Sequence, residues 1–225
     1  MCNFDIYFCR EGKHDTTGLE ATTRLSSDPE EAKLDYHRED SLFHAFHALF
    51  HRIFDSLIQR KYTRVFELFF YTHQQMMRRY MVEREVLGMK PVVPLNPPQF
   101  RRPLGPGYRA GWYAWEGLGG RTDNCEVAAF NESFVAVIDQ KFAEVQAQVS
   151  KSLQFEEFAN FLEKRYHSRG HNIIAMACSS IYDPVEDTGV GVMSFSEASA
   201  RDPIFYRWHL HIEDIVQQFK DKKTL

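Results

Sequence analysis

The 225-residue chain is 44% apolar, has a formal net charge of −4 and a pI near 6.2, and contains no long Lys/Arg block. This is enough chain for one sizeable core, and the charge leaves no electrostatic footprint for nucleic acid or an anionic membrane. No apolar run approaches the ~18 to 20 residues that span a bilayer, and the charged start MCNFDIYFCREGKHD lacks the apolar stretch of a signal peptide, so a soluble, cytoplasmic protein is expected.

Residues 1–33 read as an irregular polar lead-in, with Thr16, Thr17, Gly18, Ser26, Ser27 and Asp28-Pro29 marking turns. From Leu34 to about Gln59 apolar residues recur at spacings of three and four, the pattern of an amphipathic helix, with Asp40 or Ser41 as its cap. A second helix is expected from about Thr63 to Leu87, stopped by Gly88. Residues 88–121 then hold six prolines and seven glycines, too many for a helix. Aromatics at Phe100, Tyr108, Trp112, Tyr113 and Trp115 make this segment an ordered loop or lid, because so much ring surface needs something to pack on. Helical periodicity returns over 131–150, with Asn131 and Ser133 as candidate caps, and over 154–178. A turn-rich connection follows, then a last helix from about Ile204 to Lys220. The cysteines Cys2, Cys9, Cys125 and Cys178 show no C-x-x-C spacing and read as reduced thiols.

The chemistry lies in the histidines. His47 and His51 are four residues apart on a predicted helix, which stacks both imidazoles on one face where they can reach a single ion. The spacing recurs at His167 and His171, and each pair is followed by a lone histidine in another predicted helix, His73 and His209. His44, three residues before His47, admits the plainer reading of a solvated histidine-rich face. Two matched sets weigh against that reading, because six imidazoles buried among Phe and Leu without partners would be costly. An all-imidazole set without thiolate or carboxylate favours copper over iron. A di-iron bundle needs paired Glu-x-x-His motifs, of which only Glu11 to His14 is present, and H-E-x-x-H is absent. The expected architecture is all-α, an antiparallel four-helix bundle around the metal pair with peripheral helices and the long Pro/Gly-rich loop outside it.

LDYHRED (34–40), FELFFYTHQQMMRRYMVER (66–84), GVMS (191–194) and RDPIFYRWHLHIEDI (201–215) resemble, in order, the copper domain of arthropod hemocyanins and prophenoloxidases, the type 3 copper proteins. The resemblance covers roughly residues 34–220 and implies a single type 3 copper domain over 1–225. It also implies two copper ions, one held by His47, His51 and His73 and the other by His167, His171 and His209, with no ligand role for His44 or His211. Dioxygen binds between the coppers in that family. The implied function is a tyrosinase- or catechol oxidase-like phenoloxidase that converts phenols or o-diphenols to o-quinones; the alternative is a reversible dioxygen-binding protein. The partners are then dioxygen and a small phenolic substrate. The chain departs from the family at Asp55, where a proline is usual, and at two positions that bear on the chemistry: Ser168 stands where Asn is common, and Phe195 where an acid often follows GVMS, with Glu197 two positions on as a candidate general base. The latter two departures make diphenol oxidation the firmer expectation than phenol hydroxylation. Glu67, Glu213 and Asp214 are candidates to orient ligating imidazoles. Trp112, Tyr113 or Trp115 could stack on a substrate ring or seal the bundle end.

Overall fold

The computed structural model describes residues 26–109, 119–151, 154–180 and 189–224. The described helices run in order α1 (Asp35–Arg38), α2 (Ser41–Gln59), α3 (Val65–Val86), α4 (Val127–Phe130), α5 (Glu132–Val149), α6 (Phe155–Leu162), α7 (Ser168–Ala177) and α8 (Pro203–Thr224). Strand-like pairing among the described residues is limited to isolated bridges, such as Tyr108 with Arg121 and Leu104 with Cys125. The all-α expectation holds.

Local chemistry sets the helix boundaries. The Asp40 carboxylate accepts from the amides of Leu42 (2.8 Å) and Phe43 (3.3 Å). It therefore opens α2 inside the stretch that apolar periodicity reads as continuous from Leu34, and α1 ends before it. Helix α3 stops short of Gly88, which adopts φ +63°. Asn131 caps α5 by accepting from the Ser133 amide at 2.9 Å. Pro203 occupies the first position of α8, where its missing amide hydrogen costs nothing, and Asp202 accepts from Ile204 at 2.9 Å.

The stretch expected as one helix over 154–178 is interrupted. A π-helical segment, Glu163–His167, joins α6 to α7. A single widened turn shifts the hydrogen-bond register without breaking the apolar pattern, so periodicity alone cannot register it. Such turns are rare and concentrate at functional sites. This one ends on His167.

Helix α3 packs against α2, α6 and α8, and these, with α7 continuing α6, form the four-helix bundle. Phe69, Met77, Tyr80, Phe158, Tyr166 and Trp208 are all but fully buried in its core, each contributing roughly 1.5 to 3 kcal/mol by leaving water. Helices α7 and α8 approach so closely that a Cβ on Gly170 would sit 2.1 Å from Trp208 Cζ2. Only glycine fits there. The Trp208 indole nitrogen in turn donates to the His167 carbonyl at 3.2 Å, which fixes the second pair of histidine-bearing helices against each other.

The described part of segment 88–121 contains no α-helix. It includes a short 3-10 turn, Pro97–Arg101, which packs against α4 and α5. The Leu95 amide donates to the Arg207 carbonyl at 2.9 Å, and Phe100 packs edge-on against Trp208. Trp112, Tyr113 and Trp115 lie outside the described residues, as do residues 1–25 of the lead-in. The end of that lead-in is not solvated: Glu31 is buried, bonded to Arg38 at 2.8 Å and to Arg84 and Tyr80.

The reduced-thiol reading fails for one pair. Cys125 and Cys178 form a disulfide across 53 residues, tying the loop after residue 119 to the end of α7. Linear spacing says nothing about a bridge made by tertiary proximity. A loop of that length gives about 4 kcal/mol of stabilisation in the chain-entropy model.

Candidate metal centre

The six histidines arrive from four directions. His47 and His51 project from α2, His73 from α3, His167 and His171 from the π segment and α7, and His209 from α8. They form two groups, His47/His51/His73 and His167/His171/His209, each with its three ligand atoms within 4.8 Å of one another. Nε2 of His47 lies 3.0 Å from that of His51 and 3.3 Å from that of His73. Nε2 of His167 lies 3.0 Å from that of His209 and 3.2 Å from that of His171. The groups face each other across His73 and His209, whose rings stack at 4.8 Å and 9°.

Proton positions decide what these contacts are. His73 Nδ1 donates to the Phe69 carbonyl (2.9 Å), His209 Nδ1 to Phe205 (2.8 Å) and His171 Nδ1 to Met193 (2.8 Å). A carbonyl only accepts, so each of these rings carries its proton on Nδ1 and presents a bare lone pair at Nε2. His167 Nδ1 bonds a carboxylate oxygen of Glu163, with the same consequence. In the second group three lone pairs therefore converge at 3.0 to 3.2 Å, where no proton can be shared between them. A cation bound to all three resolves this. Metal–nitrogen bonds of about 2.0 to 2.1 Å place neighbouring ligand atoms roughly 3.3 to 3.6 Å apart, close to the spacing seen. Burial holds His47, His73, His171 and His209 well below the usual histidine range and lowers His51 as well, so these rings stay neutral and available as ligands.

The groups that orient the rings are not the acids expected from sequence. Glu67 pairs with Arg64 at 2.6 Å near the surface, Glu213 accepts from Gln74 at 2.6 Å, and Asp214 is exposed. Three main-chain carbonyls and Glu163 do the orienting instead. Carbonyls leave no mark in a sequence, but Glu163 could have been found as an acid four residues before His167, on the same helix face. Burial alone would raise the Glu163 carboxyl; its attraction and hydrogen bond to His167 and the hydrogen bond from Ser168 overcome this and hold it below the usual carboxylate range. Ser168 thus serves Glu163, donating at 2.9 Å. Glu163→Gln is expected to weaken copper at the second group by ~10- to 100-fold while leaving the first group unchanged, measured by titration against a competing chelator. Equal weakening at both groups, or at neither, contradicts this role.

The remaining sequence candidates fall outside the cluster. His44 is buried, so it is no solvated histidine; it bonds the Arg38 carbonyl. His211 bonds the Tyr166 hydroxyl at 2.9 Å. Glu197 is half-buried and accepts from the Ser196 hydroxyl at 3.1 Å, with its charge felt at His51. A cavity of about 580 Å³ opens between α3 and α8, and His73, His167 and His209 line its floor with Phe69 and Phe70. None of its lining residues comes from the described part of segment 88–121.

Residues 11–216 match the family model of the hemocyanin copper-containing domain. The hemocyanin B chain of Aphonopelma sp. is 32% identical over 233 residues, covering 88% of this chain and 36% of the relative. Phenoloxidase subunit 1 of Bombyx mori is 28% identical over 240 residues, covering 90% and 34%. Among solved structures, a scorpion hemocyanin in its activated state superposes with a TM-score of 0.67 at 28% identity, covering 89% of this chain and 36% of that one. A hemolymph-type prophenoloxidase from a crustacean superposes at 0.62 and 22% identity over 85% and 35%, a likeness of fold. The chain spans about a third of the length of the relatives it matches.

Proposed function

This chain belongs to the hemocyanin copper-containing domain family, and from that premise we propose that it is a dicopper oxidase of o-diphenols, with His47, His51 and His73 holding one copper and His167, His171 and His209 the other. The observation that carries the proposal is the cavity. It gives a molecule of aromatic size a route to histidines of both groups, where a site serving dioxygen alone needs far less room.

Bound copper supplies the two-electron redox capacity for reducing dioxygen. The chain's own residues supply position and an apolar surround. The Phe69, Phe205 and Met193 carbonyls fix three tautomers. The rings of Phe50, Phe69 and Phe205 pack against the imidazoles at centroid distances of 3.8 to 5.9 Å and give them an apolar surround. The balanced reaction consumes one dioxygen and two o-diphenols, giving two o-quinones and two waters. Reversible dioxygen binding is the second reading, favoured by the higher identity to the Aphonopelma hemocyanin. Incubating the copper-loaded chain with 4-methylcatechol separates the two: quinone absorbance is expected to rise with oxygen consumption. Reversible oxygenation without quinone would select the carrier.

We also infer an oxidising compartment in place of the expected cytoplasm. The Cys125–Cys178 disulfide supports this, since such bonds persist where thiols are not kept reduced. No described helix is long and apolar enough to cross a membrane.

A further inference from the structure

Of the asparagines in the chain, only Asn131 opens an Asn-x-Ser/Thr triplet, Asn131-Glu132-Ser133, with no proline at its middle position. Such a triplet accepts an N-linked oligosaccharide, and a folded domain has room for so bulky a group only at its surface. The fold meets that condition. Residues 129–133, from the end of α4 to the start of α5, are all exposed, and the middle residue Glu132 pairs with the exposed Arg101 at 3.0 Å. The two ends of the Asn131 amide are used differently. Oδ1 accepts from the Ser133 amide at 2.9 Å and from the Ser133 hydroxyl at 2.7 Å, whereas Nδ2 bonds to no described residue. Capping of α5 therefore occupies the oxygen and leaves the nitrogen, the atom that carries a sugar, facing outward without a partner.

A second, independent observation concerns where the chain matures. Cys125, six residues before Asn131, is bonded to Cys178, and disulfides form in oxidising compartments such as the lumen of the endoplasmic reticulum, where oligosaccharide is also transferred to nascent chains. We propose that Asn131 is an N-glycosylation site, with the oligosaccharide on Nδ2. This rests on the oxidising-compartment reading above and adds a covalent modification to it. The donor is an oligosaccharide linked through pyrophosphate to a polyisoprenyl lipid. The bond from the anomeric carbon of its first sugar to the pyrophosphate oxygen breaks, the bond from that carbon to Nδ2 forms, and one amide proton is released, with no change of oxidation state. The cap survives, because the modified amide keeps its Oδ1. The sugar also stands clear of the histidines, since no residue of α4 or α5 lines the cavity between α3 and α8.

Expression of the full chain behind a secretion leader in insect cells tests the assignment, read by intact mass and by mapping after peptide N-glycosidase in heavy-oxygen water, which leaves labelled aspartate wherever a sugar was attached. Most wild-type chains are expected to carry one oligosaccharide, at position 131. Asn131→Asp keeps an oxygen that caps α5 and is expected to carry none. Ser133→Ala, which retains the capped amide, is expected to carry none either, and Ser133→Thr is expected to restore the modification. Unmodified wild-type chain, or sugar that persists in Asn131→Asp or Ser133→Ala, would overturn the assignment. The oxidation state of Cys125 and Cys178 in protein from its natural source tests the compartment reading separately, because the leader delivers the chain to the transferring enzyme whichever way that result falls.

Discussion

Replacing His209 by Ala is expected to leave one copper per chain in place of two, to abolish dioxygen uptake and diphenol oxidation, and to preserve helical content. His209 is fixed by its Nδ1 bond to Phe205, and its ring packs 3.8 Å from the Phe205 ring. Removing it takes one of three converging nitrogens from the second group and leaves His167 and His171 only their mutual 3.2 Å contact. Two imidazoles cannot complete the three-nitrogen set that both groups share. The first group keeps all three of its rings, although His73 loses its stacking partner. The cost to the fold is that of one truncated buried side chain, on the order of 1 to 3 kcal/mol. Metal analysis beside circular dichroism reads both halves of this expectation. Two coppers retained in His209→Ala would show that the proposed ligand set is wrong.

A larger effect on stability is expected from Asp202→Ala. Asp202 is fully buried and makes a double salt bridge to Arg121 (2.8 and 2.9 Å), while Oδ1 also accepts from the Ile204 amide at the start of α8. Arg121 donates besides to the Leu104 and Pro106 carbonyls and lies four residues from Cys125 of the disulfide. One substitution therefore strands a buried guanidinium and uncaps the helix that carries His209. Stranding a buried charge costs about 3 to 5 kcal/mol, and losing a cap adds ~1 kcal/mol. Against a whole-domain stability of about 5 to 15 kcal/mol this is a large fraction. Urea unfolding should show a midpoint shift of that size with little change in slope. A loss under ~1 kcal/mol would mean that the pair is dispensable. Replacing Arg121 and Asp202 together by apolar residues is expected to cost less than Asp202→Ala alone, since no charge is then left unpaired.

How legible the site was in the sequence follows the physics of each part. The histidine pairs stand out because i, i+4 spacing is a property of the helix itself, and α8 forms close to where the apolar periodicity places it, whereas α2 starts later than that periodicity reads, at the Asp40 cap. Asp40 and Asn131 were readable as caps because their side chains act within three residues of their own position. Interactions that span the chain were not. The Cys125–Cys178 bond, the Gln74–Glu213 contact and the Glu31–Arg38–Arg84 cluster join residues that only the packed bundle brings together. The orienting carbonyls of Phe69, Phe205 and Met193 carry no side-chain signal at all. Glu163 is the intermediate case: its spacing to His167 was visible, yet its role depends on a π turn that apolar periodicity does not record.

We propose that the two three-histidine groups hold two coppers side by side. Diffraction from copper-loaded crystals on either side of the copper absorption edge tests it most directly. Two anomalous peaks are expected, one about 2.0 to 2.1 Å from Nε2 of His47, His51 and His73 and the other at the same distance from Nε2 of His167, His171 and His209. A single peak, or copper bound through any other residues, would contradict it.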